Sequence, residues 1–179
     1  MGKEQMTRKV DVKVFEIQDP KGLRSNQWYL DDTVDFAKHC MKLEGYVSPM
    51  IIGIREDGTR FAFSLPSISS DKGESLMGAK QLLAKTGVEK YITVMEGWYL
   101  EGKGNPSEMD IMPSQSERRK EAVIVSVCDD TGVILFKAME IERGDDGKFA
   151  GLAEIKAMQA TANEGKPCFG GTFTELLQD

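Results

Sequence analysis

The residue types best suited to chemistry lie between Tyr91 and Glu121. An apolar, strand-like run carries one carboxylate, Glu96, two residues before Trp98. Side chains alternate between the two faces of a strand, so these two residues share a face with Ile92, Val94 and Leu100. A carboxylate among apolar neighbours is costly to bury in its charged form, and a raised pKa would let it donate or accept a proton near neutral pH. Glu96 is therefore the candidate catalytic residue.

Two arginines and a glutamate open the next strand, and a serine lies just upstream of them. Guanidinium groups beside hydroxyl groups suit a carboxylate or phosphate ligand. The candidate ligand-binding residues are Trp98, Ser114, Arg118, Arg119 and Glu121. Either arginine could instead neutralise Glu96 in a structural ion pair, which is the interpretation that the pattern favours. Glu96 and Glu121 could also form a carboxylate pair of the kind that glycosidases use.

Residue types exclude several kinds of catalytic and metal site. The run 97–103 has the spacing of a phosphate-binding loop, but Gly104 stands where a magnesium-binding hydroxyl is needed, and Pro106 breaks the helix that should follow. One histidine, His39, excludes zinc sites with two or three histidines in a single chain, and no histidine is available as the base for a serine nucleophile. The acids at 129, 130, 145 and 146 lack the spacing of a calcium loop and are predicted turn formers. The sequence predicts no cofactor and no metal.

Charge and cysteine content limit the class of partner and the compartment. The 179 residues have a net charge of −6 and a pI near 5.0, which argues against a nucleic-acid partner held through clustered Lys and Arg. No apolar run approaches the roughly 18 residues of a membrane span, and the first residues lack the apolar core of a secretory signal. Three cysteines without a Cys-x-x-Cys spacing are typical of a reducing compartment. We expect a cytoplasmic protein with no membrane association.

Periodicity and turn signals predict an α+β fold. The expected order is β-α-ββ-α-βββ, with about five strands in a mainly antiparallel sheet and two helices packed on one face. Short hairpins join the strands, which makes neighbouring strands antiparallel. The turn signals are Asp57-Gly58 and the segments 129–132 and 144–147.

Capping residues place the two helices. The first helix is predicted to begin at Asp31 and Asp32 and to end at Gly45. Its predicted buried stripe consists of Val34, Phe36, Ala37, Cys40, Met41 and Leu43. The second helix is predicted to start at an Asp71 cap and to end at Gly87.

We assign residues 1–155 to a single α+β domain and residues 156–179 to a C-terminal tail. Apolar residues of the tail (Phe169, Phe173, Leu176 and Leu177) could dock back on the domain or mediate a contact. Edge strands and Met-rich helices could support a homodimer, the commonest assembly of soluble proteins.

Two resemblances accompany these patterns. Glu96-x-Trp98, followed by Pro113-Ser114 and then by Arg118 and Glu121, resembles an E-x-W … P-S … R … E pattern of uncharacterised bacterial and phage proteins. This likeness covers roughly residues 46–143, and it implies a bacterial or phage origin but no activity. The order of elements resembles the profilin-like and roadblock-like domains, a likeness of architecture that does not fix function.

The sequence leaves three functions open. The first is a protein-interaction or small-ligand-binding domain that uses the end of the sheet around Glu96 and Trp98. The second is a hydrolase-like enzyme with Glu96 as general acid or base and Arg118 orienting an anionic substrate. The third is a DNA-associated accessory protein. The absence of a nucleophile motif and of a metal-ligand cluster favours binding over catalysis.

Overall fold

The structure, a computed structural model, describes residues 14–19, 21–65, 71–99 and 117–155. The elements in these ranges are β1 (Phe15–Ile17), α1 (Asn26–Glu44), β2 (Met50–Ile54), β3 (Arg60–Ser64), α2 (Lys72–Thr86), β4 (Lys90–Tyr99), β5 (Lys120–Asp129), β6 (Gly132–Arg143) and β7 (Phe149–Glu154). All seven strands form one antiparallel sheet in the order β1-β3-β2-β4-β5-β6-β7. The predicted α+β class with an antiparallel sheet is confirmed.

The sheet is larger than predicted, with seven strands where we expected about five. The predicted order already began with the strand that is now β1, at one edge of the sheet, and the strand beyond that order is β7, at the other edge. β1 pairs with β3, and β7 pairs with β6 after the turn that Gly144 and Gly147 close with an N–H···O bond of 2.8 Å. The order after α2 is therefore four strands rather than three.

The predicted β2–β3 hairpin is confirmed, and its turn shows why Asp57 and Gly58 occupy these positions. The N–H of Gly58 donates to the carbonyl of Arg55 at 2.9 Å, and a carboxylate oxygen of Asp57 accepts from the N–H of Thr59 at 2.8 Å. Gly58 has a φ of +84°, which an L side chain rarely adopts.

The two helices cover opposite faces of the sheet, so the prediction that both pack on one face was wrong. Ile92 of β4 lies in a core cluster with Met41 of α1. The preceding residue, Tyr91, lies in a second cluster with Leu83 of α2. Neighbouring residues of a strand point to opposite faces. The central strands are apolar on both faces, and burying both requires one helix on each side.

α1 begins about one and a half turns earlier than predicted. Its N-cap is Ser25, whose hydroxyl accepts from the N–H of Trp28 at 3.1 Å. Asp31 lies inside the helix, where it accepts a hydrogen bond of 3.0 Å from Gln27, one turn before it. The predicted end is confirmed, since Gly45 caps the helix with a φ of +77°.

The predicted buried stripe of α1 is confirmed in part. Val34, Ala37 and Met41 are buried, whereas Phe36 is 41% exposed and Leu43 is 71% exposed. At 3.6 residues per turn, both exposed residues lie roughly 100° around the helix from Ala37, away from the face on the sheet.

α2 has the predicted caps. Asp71 accepts a hydrogen bond from the N–H of Glu74 at 2.9 Å, and Gly87 ends the helix with a φ of +63°. Ala79 and Leu83 are buried against the sheet. Neither of the two described helices is long and apolar enough to cross a membrane.

Candidate functional site

A solvent-open groove lies on the α1 face of the sheet, where β4, β5 and β6 extend past the C-terminal end of α1. In this part of the sheet Trp98 lies directly opposite Glu121. The groove has a volume of about 550 Å³ and is lined by Trp98, Glu117, Arg119, Glu121, Ile141 and Arg143. The structure therefore brings three of the predicted ligand-binding residues, Trp98, Arg119 and Glu121, to one place.

Glu96, the candidate catalytic residue, is held by the backbone that follows α1. Its Oε1 accepts a hydrogen bond of 2.6 Å from the N–H of Val47. Glu96 lies opposite Val123 on β5 and is half-buried. Among the described residues its partner is thus a main-chain amide and not an arginine, which differs from the predicted ion pair. The bond anchors the chain after α1 to β4, just before the groove begins.

Arg119 and Trp98 form the aromatic part of the groove. The guanidinium carbon of Arg119 lies 4.6 Å from the centre of the Trp98 ring, within the range of a cation–π contact. Trp98 remains 42% exposed. Arg118 is exposed and does not line the groove. Ser114 lies outside the described residues.

Glu121 is paired with Arg143, a residue that the sequence analysis missed. Nε and Nη2 of Arg143 lie 2.7 and 2.6 Å from one carboxylate oxygen of Glu121. β5 and β6 are antiparallel, and Ala122 lies opposite Glu140, so Glu121 and Arg143 are close diagonal neighbours. A register for β5 and β6 counted back from the turn at 129–132 would have placed Glu121 opposite Glu140, because the bulge between Val127 and Cys128 shifts the true register by one residue. The predicted pairing of Glu121 with Glu96 as two catalytic carboxylates is not what the geometry favours, because each has its own partner.

A second polar cluster lies on the opposite face of the same sheet end. The buried Tyr99 donates a hydrogen bond of 2.6 Å from its hydroxyl to Oε2 of Glu140, and the amino group of Lys120 lies 3.3 Å from the same carboxylate. The hydrogen bond from the Tyr99 hydroxyl lowers the pKa of Glu140 most, burial opposes it to a smaller extent, and Lys120 adds to the lowering, so the pKa lies below its ordinary value. This ionised carboxylate ties β4, β5 and β6 together.

The described residues include no cluster of side chains that could bind a metal ion. Within the ranges that the structure covers, no group of three or more His, Cys, Asp or Glu side chains is placed to hold a metal ion. Cys40 and Cys128 are free thiols, and burial raises the pKa of Cys128. The acidic side chains of the turns accept hydrogen bonds from the backbone. Asp129 accepts from the N–H of Thr131 at 2.8 Å, and Asp146 accepts from the N–H of Lys148 at 3.0 Å.

Comparisons of the chain with protein families, with curated proteins and with solved structures gave no match. The resemblance to bacterial and phage proteins and the architectural likeness to profilin-like and roadblock-like domains therefore stay predictions.

Proposed function

We propose that this protein is a non-catalytic binding domain whose partner is a segment of another protein, held in the groove at the end of β4, β5 and β6. The observation that carries the proposal is the exposed Trp98 ring, stacked under Arg119 and flanked by the Glu121–Arg143 ion pair.

The composition of the groove favours a protein partner. Tryptophan and arginine are the side chains most enriched among the residues that dominate binding energy in protein interfaces. The floor is apolar at Ile141, while charges surround it. An apolar centre with a polar rim is the usual arrangement of such interfaces.

The exposure of the groove argues for a macromolecule over a small ligand. Sites for small molecules enclose most of the ligand surface. Here Glu117 and Arg119 are exposed, and Trp98 and Arg143 remain accessible on the groove walls. A peptide segment can lie along such an open surface, with an apolar side chain against Trp98 and a carboxylate at Arg143.

The side chains are also held in place before binding. Stacking restrains Arg119, and the contact of two guanidinium nitrogens with one carboxylate oxygen of Glu121 restrains Arg143. A site whose long side chains are already ordered loses less conformational entropy when the partner binds.

Glu96 supports this proposal rather than the hydrolase alternative. Its Oε1 accepts a hydrogen bond of 2.6 Å from the N–H of Val47, so the carboxylate holds the chain after α1 and does not line the groove. The described residues that line the groove form an ion pair and a stacking contact, and none of them is a nucleophile beside a base.

Selection from a phage-displayed random peptide library tests the proposal. The library is panned on the full chain, and the selected peptides are measured against a Trp98→Ala/Arg143→Ala variant by biolayer interferometry. We expect the double variant to lose binding by about 100-fold, because each truncated anchor costs roughly 1–2 kcal/mol. Met77→Ala is the matched control, since Met77 is exposed on α2, on the other face of the sheet.

Two results would contradict the proposal. One is a selection that yields no peptide specific for the chain. The other is a set of peptides that bind the double variant as tightly as they bind the wild type.

A further inference from the structure

We propose that two copies of this chain associate through their β7 strands, which would continue the seven-stranded sheet across a two-fold axis. β7 is the last strand of the sheet in the order that the described residues form, and its outer edge has no strand partner among them. The surface is at the side of the sheet and is separate from the groove at Trp98.

The outward-facing backbone groups of β7 can be assigned. The N–H of Ile155 donates to the carbonyl of Ala138 at 3.0 Å, so Ile155 points its backbone groups towards β6. Successive residues of a strand alternate in this direction. The N–H and C=O groups of Leu152 and Glu154 therefore point away from β6, towards the open edge.

The side chains of β7 give this edge little protection against pairing. Five consecutive positions, Phe149–Ala153, carry no charge and no proline. Edge strands of soluble proteins usually carry lysine, proline or inward-pointing charge at such positions. The bulge between β6 and β7 leaves Ala150 as the extra residue on β7, and the register is regular from Gly151 onwards.

Charge complementarity identifies a second copy as the occupant. A groove of about 430 Å³ separates α1 from β7, lined by Lys38 and Lys42 on one side and by Phe149–Leu152 on the other. An antiparallel pair of β7 strands centred on Leu152 places Glu154 of each copy opposite Ala150 of the other. Ala150 lines this groove, so the incoming carboxylate arrives beside the two lysines.

The orientation of Glu154 is consistent with this arrangement. Glu154 lies opposite Met139, which belongs to the core cluster under α1, so its side chain is on the α1 face, where the lysines are. Its side chain is 42% exposed even though its carboxylate lies 3.6 Å from Lys137. The Lys38 side chain is 47% exposed, although its amino group lies 3.4 Å from a carboxylate oxygen of Asp35. Both partners are thus accessible, and the two-fold axis creates the contact twice.

Sedimentation equilibrium of the full chain tests the inference. We expect a monomer–dimer equilibrium in the wild type, and Glu154→Lys should weaken dimerisation by about 10- to 100-fold, because on each side of the axis it places three like charges together: the new lysine of one copy and Lys38 and Lys42 of the other. Adding Lys38→Glu and Lys42→Glu to Glu154→Lys should restore the dimer. Glu56→Lys is the matched control, an equal change of charge at an exposed turn residue near the other edge of the sheet.

Hydrogen exchange provides a measurement that needs no variant. The amides of Leu152 and Glu154 should exchange more slowly as protein concentration rises, while the amides of β1, at the opposite edge, should not change. The proposal would be overturned if the wild-type chain stays monomeric over the whole concentration range. That result would mean that no second copy pairs with β7, whether the strand is covered by another segment of the chain or by a different protein. A dimer that Glu154→Lys and Glu56→Lys affect equally would overturn it too.

Discussion

The carboxylate of Glu96 accepts a 2.6 Å hydrogen bond from the N–H of Val47, 49 residues earlier in the chain. Val47 follows the Gly45 cap of α1, so this bond fixes the exit of the helix against the middle of β4. It also makes the most conspicuous carboxylate of the sequence part of the fold.

Removing this acceptor should destabilise the protein without changing peptide binding. We expect Glu96→Ala to lower the free energy of unfolding by about 1–3 kcal/mol, because the N–H of Val47 loses its partner in a half-buried position. Glu96→Gln keeps an acceptor and should lose less. Urea unfolding monitored by circular dichroism measures both, with the exposed Glu56→Ala as control. A Glu96→Ala chain as stable as the control would mean that the bond contributes nothing.

The start of α1 offers a direct comparison of two capping residues. Ser25→Ala should cost about 1 kcal/mol of unfolding free energy, since the N–H of Trp28 loses its acceptor. Asp31→Ala removes only a bond to Gln27 on the helix surface and should cost a few tenths of a kcal/mol. Chemical denaturation of the two variants ranks them. The reverse order would place the cap at Asp31, as the sequence predicted.

Two glycines with similar backbone angles should differ strongly in their tolerance of alanine. Gly58 and Gly87 both have a positive φ, so substitution of either glycine by alanine costs about 1–2 kcal/mol in backbone strain. A Cβ at Gly58 would also lie 2.5 Å from the carbonyl oxygen of Gly22 and 2.7 Å from the nitrogen of Leu23, whereas a Cβ at Gly87 meets nothing within 4 Å.

We therefore expect Gly58→Ala to lower the melting temperature well beyond Gly87→Ala, with at least about 2 kcal/mol between them. Differential scanning calorimetry of both variants gives the comparison. Equal losses would show that the hairpin turn moves freely away from the segment at Gly22.

The bond from Tyr99 to Glu140 should make stability depend on acid pH. The pKa of Glu140 is lower in the folded protein than its ordinary value of 4.5. Its contribution is therefore complete above that value and disappears as the pH falls through the lower folded pKa. Tyr99→Phe removes the main cause of the shift and should cost about 1 kcal/mol at neutral pH.

The loss caused by Tyr99→Phe should shrink as the pH is lowered below 4.5, because protonated Glu140 no longer benefits from the hydroxyl. Urea unfolding at a series of pH values measures this difference. Tyr46→Phe, at a tyrosine that is 53% exposed, is the control and should show no such trend. A loss that stays constant down to acid pH would mean that the hydroxyl does not act through the charge of Glu140.

The sequence by itself determined the local structure of this protein. The hairpin turn at Asp57 and Gly58, the helix ends at Gly45 and Gly87, and the Asp71 cap all lie where the residues predicted them. These features depend on hydrogen bonds and backbone angles within a few residues, so the residue types contain the information. The antiparallel sheet follows from the same short turns.

Only the tertiary structure decided how these elements combine. The apolar residues of β4 occupy both of its faces, and periodicity alone could not say that α1 takes one and α2 the other. The partners of Glu96 and Glu121, Val47 and Arg143, are separated from them by 49 and 22 residues. Contacts of this range follow from the strand register and the packing of the helices, which a sequence fixes only through the whole fold. For that reason the sequence offered Trp98, Arg119 and Glu121 as candidate residues, and only the structure brings them together with Ile141 and Arg143.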